Sequence, residues 1–178
     1  MTIIHANDPT TRFLSVLYET RNDISAHITE ANTKSEVQRA IRADDTIMML
    51  GHGDGGGLYS IPDKNGIFRR LLINSDFVQF LRDKTCIGIW CHANAFAHDY
   101  HLHGLFSGMI ISELYEAEIK EVTTTQEELN RENLKFALRL KDCIDRYPLR
   151  EIPQRMKELD DAKSELTTFN YNNLYYFE

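Results

Sequence analysis

Three short apolar runs within the first 51 residues alternate with two segments of helical spacing, and this alternation restricts the fold more than any other feature. The runs are "TIIHA" (Thr2–Ala6), "DISAHIT" (Asp23–Thr29) and "TIMMLG" (Thr46–Gly51). Between the first two, "TTRFLSVLYE" puts Phe13, Leu14, Leu17 and Tyr18 at helical spacing, with Thr10 or Thr11 as N-cap. Between the second and third, "NTKSEVQRAIRADD" opens on cap-type residues and carries Val37, Ala40 and Ile41 on one face. Strand, helix, strand, helix, strand is the pattern of a parallel sheet flanked by helices. The expected fold class is therefore α/β, with a mostly parallel sheet of about six strands between helices.

The rest of the chain extends this pattern. The turn Pro62–Gly66 lies between apolar stretches and predicts a small hairpin. "NSDFVQFLRDK" reads as a helix capped by Asn74 or Ser75, "TCIGIWC" (Thr85–Cys91) as a fourth buried strand, and "GLFSGMIISEL" as containing a fifth. A long helix is expected over Thr125–Tyr147, with Leu134, Ala137, Leu138 and Ile144 on its stripe and Phe136, Leu140 and Cys143 widening it. "IPQRMKEL" forms a further short helix that tolerates Pro153 in its first turn. The aromatic tail "LTTFNYNNLYYFE" is expected to be a last strand at the sheet edge. No repeat, low-complexity tract or linker divides residues 1–178, so one domain is expected.

Charge and composition exclude several functions. A net charge of −7 disfavours nucleic acid and anionic membrane surfaces as partners, because both select clustered Lys and Arg. No stretch approaches the roughly 20 apolar residues that cross a bilayer. The N-terminus carries no leader pattern, and Cys86, Cys91 and Cys143 have no framework spacing. The expected setting is cytoplasmic, with reduced thiols.

Chemistry concentrates where two of the apolar runs stop. "TIMMLGHGDGGGLYS" ends its strand at His52, and "IGIWCHANAF" ends its strand at Cys91, 39 residues later. In open α/β sheets, reactive groups gather at the carboxyl ends of strands. If these two strands are neighbours about 4.8 Å apart, the imidazole and the thiol face one crevice. That arrangement suits a thiolate nucleophile with an adjacent proton donor. The glycines around His52 admit a substrate backbone, and the N–H groups of Gly53 and Cys91 are candidate oxyanion donors. A helix starting near Ala93 is expected to favour the thiolate through its N-terminal partial charge.

These two blocks, "LGHGDGGG" and "IGIWCHANAF", resemble the corresponding blocks of the caspase-like (clan CD) cysteine peptidases, which include caspases, metacaspases, gingipains, separase and the CHAT domains. "SEVQRAIRADDTIMMLGHG" is similar to the helix–strand–His-Gly run of CHAT and metacaspase sequences, and "GLFSGMIISELYEA" to the strand after the nucleophile. The resemblance covers about Thr2–Ala117. It implies a caspase-like three-layer sandwich and a cysteine endopeptidase acting on protein or peptide substrates through a His/Cys dyad. Cys91 matches the nucleophile, His52 the catalytic histidine and Gly53 the oxyanion-hole glycine. It implies no obligatory cofactor, although calcium activates some metacaspases. The chain departs from the family at the substrate pocket. Ile89 stands where metacaspases carry an acidic residue, and Ile89-Trp90 where caspases carry Gln-Ala. Asp54, Glu113 and Trp90 are then the candidate substrate contacts, although Trp90 also suits simple core packing.

Other readings compete with this one. Cys86 and Cys143 suit packing, and His5 and His27 suit incidental positions in or beside strands. "CHANAFAHDYHLH" places His92, His98, Asp99, His101 and His103 close in sequence and opens the alternative of a metal-dependent hydrolase, though without CxxC or HExxH. "GDGGG" lacks the lysine and hydroxyl of a phosphate loop. The charges from Glu116 to Glu132 read as a solvated helix face and its approach. A caspase-like module that binds without turnover is the remaining alternative.

Overall fold

The computed structural model describes all residues, Met1–Glu178. Its main sheet has six strands: β1 (Thr2–His5), β2 (Ala26–Ile28), β3 (Thr46–Leu50), β7 (Thr85–Ile89), β8 (His103–Ser107) and β9 (Leu174–Phe177), in the order β2-β1-β3-β7-β8-β9. All neighbouring pairs run parallel except β8 with β9. Three short strands, β4 (Gly53–Asp54), β5 (Gly57–Tyr59) and β6 (Leu71–Ile73), form a separate antiparallel sheet that contains the expected hairpin.

The alternation of side chains along each strand divides the core. Ile4, Ile47, Met49, Cys86 and Phe106 point to one face, where they meet α1 (Lys34–Ala43), α2 (Val78–Leu81) and α3 (Ala93–Tyr100). Ile3, Met48, Leu50, Ile87, Ile89 and Leu105 point to the other, against a 3₁₀ helix (Pro9–Leu17), α5 (Gln126–Arg146) and α6 (Ile152–Leu159). Helices on both faces make the architecture compatible with a three-layer sandwich. No helix is long and apolar enough to cross a membrane.

Local chemistry explains most boundaries. Thr33 caps α1 in a reciprocal capping box with Glu36, and Thr125 accepts from the Glu128 N–H at the start of α5. Asn74 caps the turn leading into α2. Several expectations change, each for a physical reason. The segment after β1 is a 3₁₀ helix whose cap is Asp8, followed by Pro9 at the first helical position. β2 is shorter than expected, because only Ala26–Ile28 pair with β1.

On α5 the buried stripe is Leu129, Phe136, Ala137, Leu140 and Cys143, while Leu134 and Leu138 are exposed. Both stripes satisfy helical spacing, and the position of the sheet selects between them. The tail divides into α7 (Glu165–Asn172) and the edge strand β9. Ser164 accepts from the Thr167 N–H and so starts a helix, on which Leu166, Asn170 and Tyr171 are buried.

The charged approach to α5 is not uniformly solvated. Glu116 in α4 (Leu114–Ile119) and Glu132 in α5 are buried. His5 is also structural rather than incidental. It is buried, bonded to the Tyr18 hydroxyl at 3.0 Å and the Thr11 hydroxyl at 3.2 Å, and burial lowers its pKa to about 4.

Candidate functional site

β3 and β7 are hydrogen-bonded neighbours, with Leu50 opposite Ile89. The ladder continues one step further, as the Gly51 N–H donates to the Ile89 carbonyl at 3.1 Å. His52 and Cys91 therefore leave the same end of adjacent strands. They line one small cavity of about 20 Å³ together with Thr11, Phe13, Ile89, Trp90, Ile110 and Ser112.

The turn after β3 is shaped by glycine and by Trp90. Gly51 has φ +142°, a backbone conformation that side chains rarely adopt. A Cβ on Gly53 would lie 2.2 Å from Trp90 Cδ1 and 2.4 Å from the Gly57 carbonyl. Trp90 is buried and its indole N–H donates to the Asp54 carbonyl at 3.0 Å. Its backbone N–H donates to the Ser107 hydroxyl at 3.0 Å, which holds the end of β7 to β8. The indole thus supports the glycine turn from beneath and presents no open face to a substrate. That corrects its candidacy as a substrate contact: a ring enclosed by core atoms cannot stack on a ligand.

His52 is held from several directions. Its Nε2 lies 2.7 Å from the Thr10 hydroxyl. Its ring packs at a tilt against Phe68, 5.4 Å between centroids, and Phe68 stacks on Tyr59 at 4.9 Å. Tyr59 donates its hydroxyl proton to Asp54 at 2.6 Å, and Asp54 also accepts from the Gly56 N–H at 2.7 Å. Asp54 is therefore committed to the turn. Its bond to Tyr59 raises that phenol to about 12.

Cys91 is partly buried, and its sulfur faces two oxygens: the Ile110 carbonyl at 3.6 Å and Glu116 Oε1 at 3.8 Å. Glu116 is anchored by its other oxygen, which accepts from the Ser112 N–H at 2.7 Å and the Glu113 N–H at 3.1 Å. Burial first, and then the Glu116 carboxylate, push the Cys91 thiol up to about 12. The expected help from α3 does not prevail. That helix begins at Ala93 behind a left-handed His92, and the carboxylate and loss of water outweigh a short helix's partial charge. The Cys91 N–H has no protein acceptor.

Beside the dyad opens a larger cavity of about 630 Å³, lined by Thr10, Phe13, Glu113, Tyr115 and Asn133 among others. Glu113 is half-buried, and its carboxyl is raised by burial against the opposing pull of His52. The side chains of the His92–His103 segment do not converge. His98 pairs with Asp99 at the surface, His101 ends α3 in a left-handed conformation, and no group of three His, Cys, Asp or Glu side chains is placed to hold a metal. The metal-hydrolase alternative lacks its ligand set.

Sequence reading misses Asp8, Thr10 and Glu116. Asp-Pro before a helical segment is a recognisable cap signal for Asp8. Nothing local marks Thr10 or Glu116 as neighbours of the dyad.

The fold and site together define an α/β protein with a six-stranded, mostly parallel sheet that carries a histidine and a cysteine at the ends of its two central neighbouring strands. Compared with known proteins, the chain matches no protein-family model and no curated protein sequence.

Proposed function

We propose that the protein is a cysteine endopeptidase of the caspase-like type, captured in a resting conformation. The observation that carries this reading is the emergence of His52 and Cys91 from the same end of adjacent strands into one cavity. In the reaction the Cys91 sulfur attacks a peptide carbonyl, and the N–H groups of Gly53 and Cys91 hold the oxyanion. The thiol proton passes to His52 as the sulfur attacks, and His52 then gives that proton to the leaving amine as the C–N bond breaks. Water cleaves the resulting thioester to release the acyl group and restore the thiol. The peptide enters through the larger cavity, whose rim exposes Leu114, Tyr115 and Leu134 and whose interior presents Glu113.

The resting form is closed. A space of about 20 Å³ between the dyad's walls admits no peptide, and the thiol is stored protonated against Glu116. Turnover on this reading requires the Ile110–Glu116 segment to move away from the sulfur. The same thiol environment favours a second reading, a caspase-like module that binds without hydrolysis, because a protonated sulfur is a poor nucleophile.

A broad peptide library, incubated with the parent, Cys91→Ala and His52→Ala, separates the two. Cleavage by the parent that falls at least about 100-fold in each variant, with circular dichroism unchanged, supports the peptidase. Peptide capture without cleavage by any of the three supports the binding module.

A further inference from the structure

We propose that Asp8 and Thr10 form a relay that fixes the tautomer and orientation of His52, completing the dyad as a four-residue unit. The inference rests on the peptidase reading for its catalytic meaning. Its structural content stands separately.

The direction of each bond follows from the protons available. Asp8 is buried, and its Oδ1 accepts from the Thr10 N–H at 3.0 Å and from the Thr10 hydroxyl at 2.8 Å. A carboxylate oxygen only accepts, so the single hydroxyl proton of Thr10 is directed at Asp8. The Thr10 oxygen then has only lone pairs to offer His52. At 2.7 Å, its bond to Nε2 requires the imidazole to donate. A neutral ring has one N–H, so placing it on Nε2 leaves Nδ1 as the basic nitrogen. The order is Nε2–H to Thr10, Thr10 O–H to Asp8.

The relay is built into the scaffold. Asp8 follows β1, the neighbour of β3, and its capping of the 3₁₀ helix positions Thr10 across from His52. Phe68 packs against the imidazole at a tilt of 52°, so the ring has an aromatic neighbour as well as its hydrogen bond to Thr10. Glu113 feels the charge of His52 but makes no hydrogen bond to the ring. Asp8 and Thr10 are positioning residues: they touch neither the sulfur nor the reacting carbonyl. They hold Nε2 and so leave Nδ1 as the nitrogen that gains and gives the proton, as the third member of a catalytic triad does for its histidine.

The test uses the full chain, with imidazole ¹⁵N–¹H spectra assigned by the loss of signals in His52→Ala. Expected is the Nε2–H form in the parent, a mixture of tautomers in Thr10→Val, and restoration in Thr10→Ser. Peptide cleavage should fall about tenfold in Thr10→Val, in kcat more than KM, and stay within about twofold of the parent in Thr10→Ser. Thr10 is exposed, so the isosteric valine leaves the core intact. A parent ring protonated on Nδ1, or a spectrum unmoved by Thr10→Val, overturns the relay. Unchanged cleavage in a Thr10→Val variant whose tautomer has moved overturns its positioning role. If the parent cleaves no peptide, the peptidase reading fails while the spectra still decide the relay.

Discussion

The sulfur of Cys91 lies 3.8 Å from Oε1 of Glu116, a buried carboxylate that comes from a helix 25 positions further along the chain. An acid beside a thiol disfavours the thiolate, and here burial adds to it. Iodoacetamide should therefore label Cys91 slowly at neutral pH, with a rate still rising above pH 10. Glu116→Gln keeps an acceptor for the Ser112 and Glu113 amides while removing the charge. It should speed labelling at pH 8 by roughly threefold to tenfold, since one pKa unit is a tenfold change in thiolate. Mass spectrometry of the Cys91 peptide reads the rate, and equal rates in both proteins would remove Glu116 from the account.

Gly53 is a position where no side chain fits. A methyl group there would overlap both the Trp90 ring and the Gly57 carbonyl. Backbone cannot yield as a flexible side chain does, so Gly53→Ala should cost about 2–4 kcal/mol in urea unfolding. On the proposed peptidase reading the same variant should also lose peptide cleavage, because the turn that carries the Gly53 N–H has moved. Gly55→Ala is the control, since its nearest neighbour is the Ala95 methyl at an ordinary 3.7 Å.

His5 makes stability depend on pH. Its folded pKa of about 4 lies below the unfolded value near 6.5, so the unfolded chain binds the extra proton between those limits. Stability from this group is complete above pH 6.5 and is lost as pH falls toward 4. The loss from pH 7 to pH 5 should be roughly 2 kcal/mol. His27 is lowered too, in the same direction. Unfolding curves at pH 5, 6 and 7 should converge for His5→Gln, which keeps hydrogen-bonding capacity without the titration. A parent whose stability is flat across that range would contradict a neutral, buried His5.

Asn170 joins the C-terminal helix to the segment behind Cys91. Its amide accepts from the Ile111 N–H at 2.8 Å and donates to the Ile111 carbonyl at 3.0 Å, all of it buried. Asn170→Leu would leave both backbone groups unpaired and should cost about 2–4 kcal/mol. Because the adjacent Ile110 carbonyl faces the Cys91 sulfur, loosening this clamp should also accelerate labelling of Cys91. Denaturation and labelling of the same preparation measure the two effects together.

The order of strands and helices was legible in the chain because it is written in short-range periodicities. Alternation at i, i+2 marks Ile3 and Ile4, or Met48 and Met49, as facing opposite layers, and the core divides that way. Cap residues fixed the starts of α1 and α5 for the same local reason. His52 and Cys91 were recognisable as residues at the ends of apolar runs, and their strands proved to be neighbours.

Where local rules permit two answers, the sequence stops deciding. Leu134 and Phe136 fit helical stripes equally well, and only the sheet's position buries one of them. Leu166–Glu178 has strand-like composition, yet the cap at Ser164 and the surface offered by α5 and α6 wind its first half into a helix.

The sequence alone thus determined the alternating architecture and the placement of His52 and Cys91 at strand ends, through contacts a few residues apart. The tertiary structure alone decided the protonation of Cys91, the partners of His52 and the role of Trp90. Burial, field and hydrogen bonding at a point in space depend on groups such as Asp8, Thr10 and Glu116, which chain order keeps apart and packing brings together.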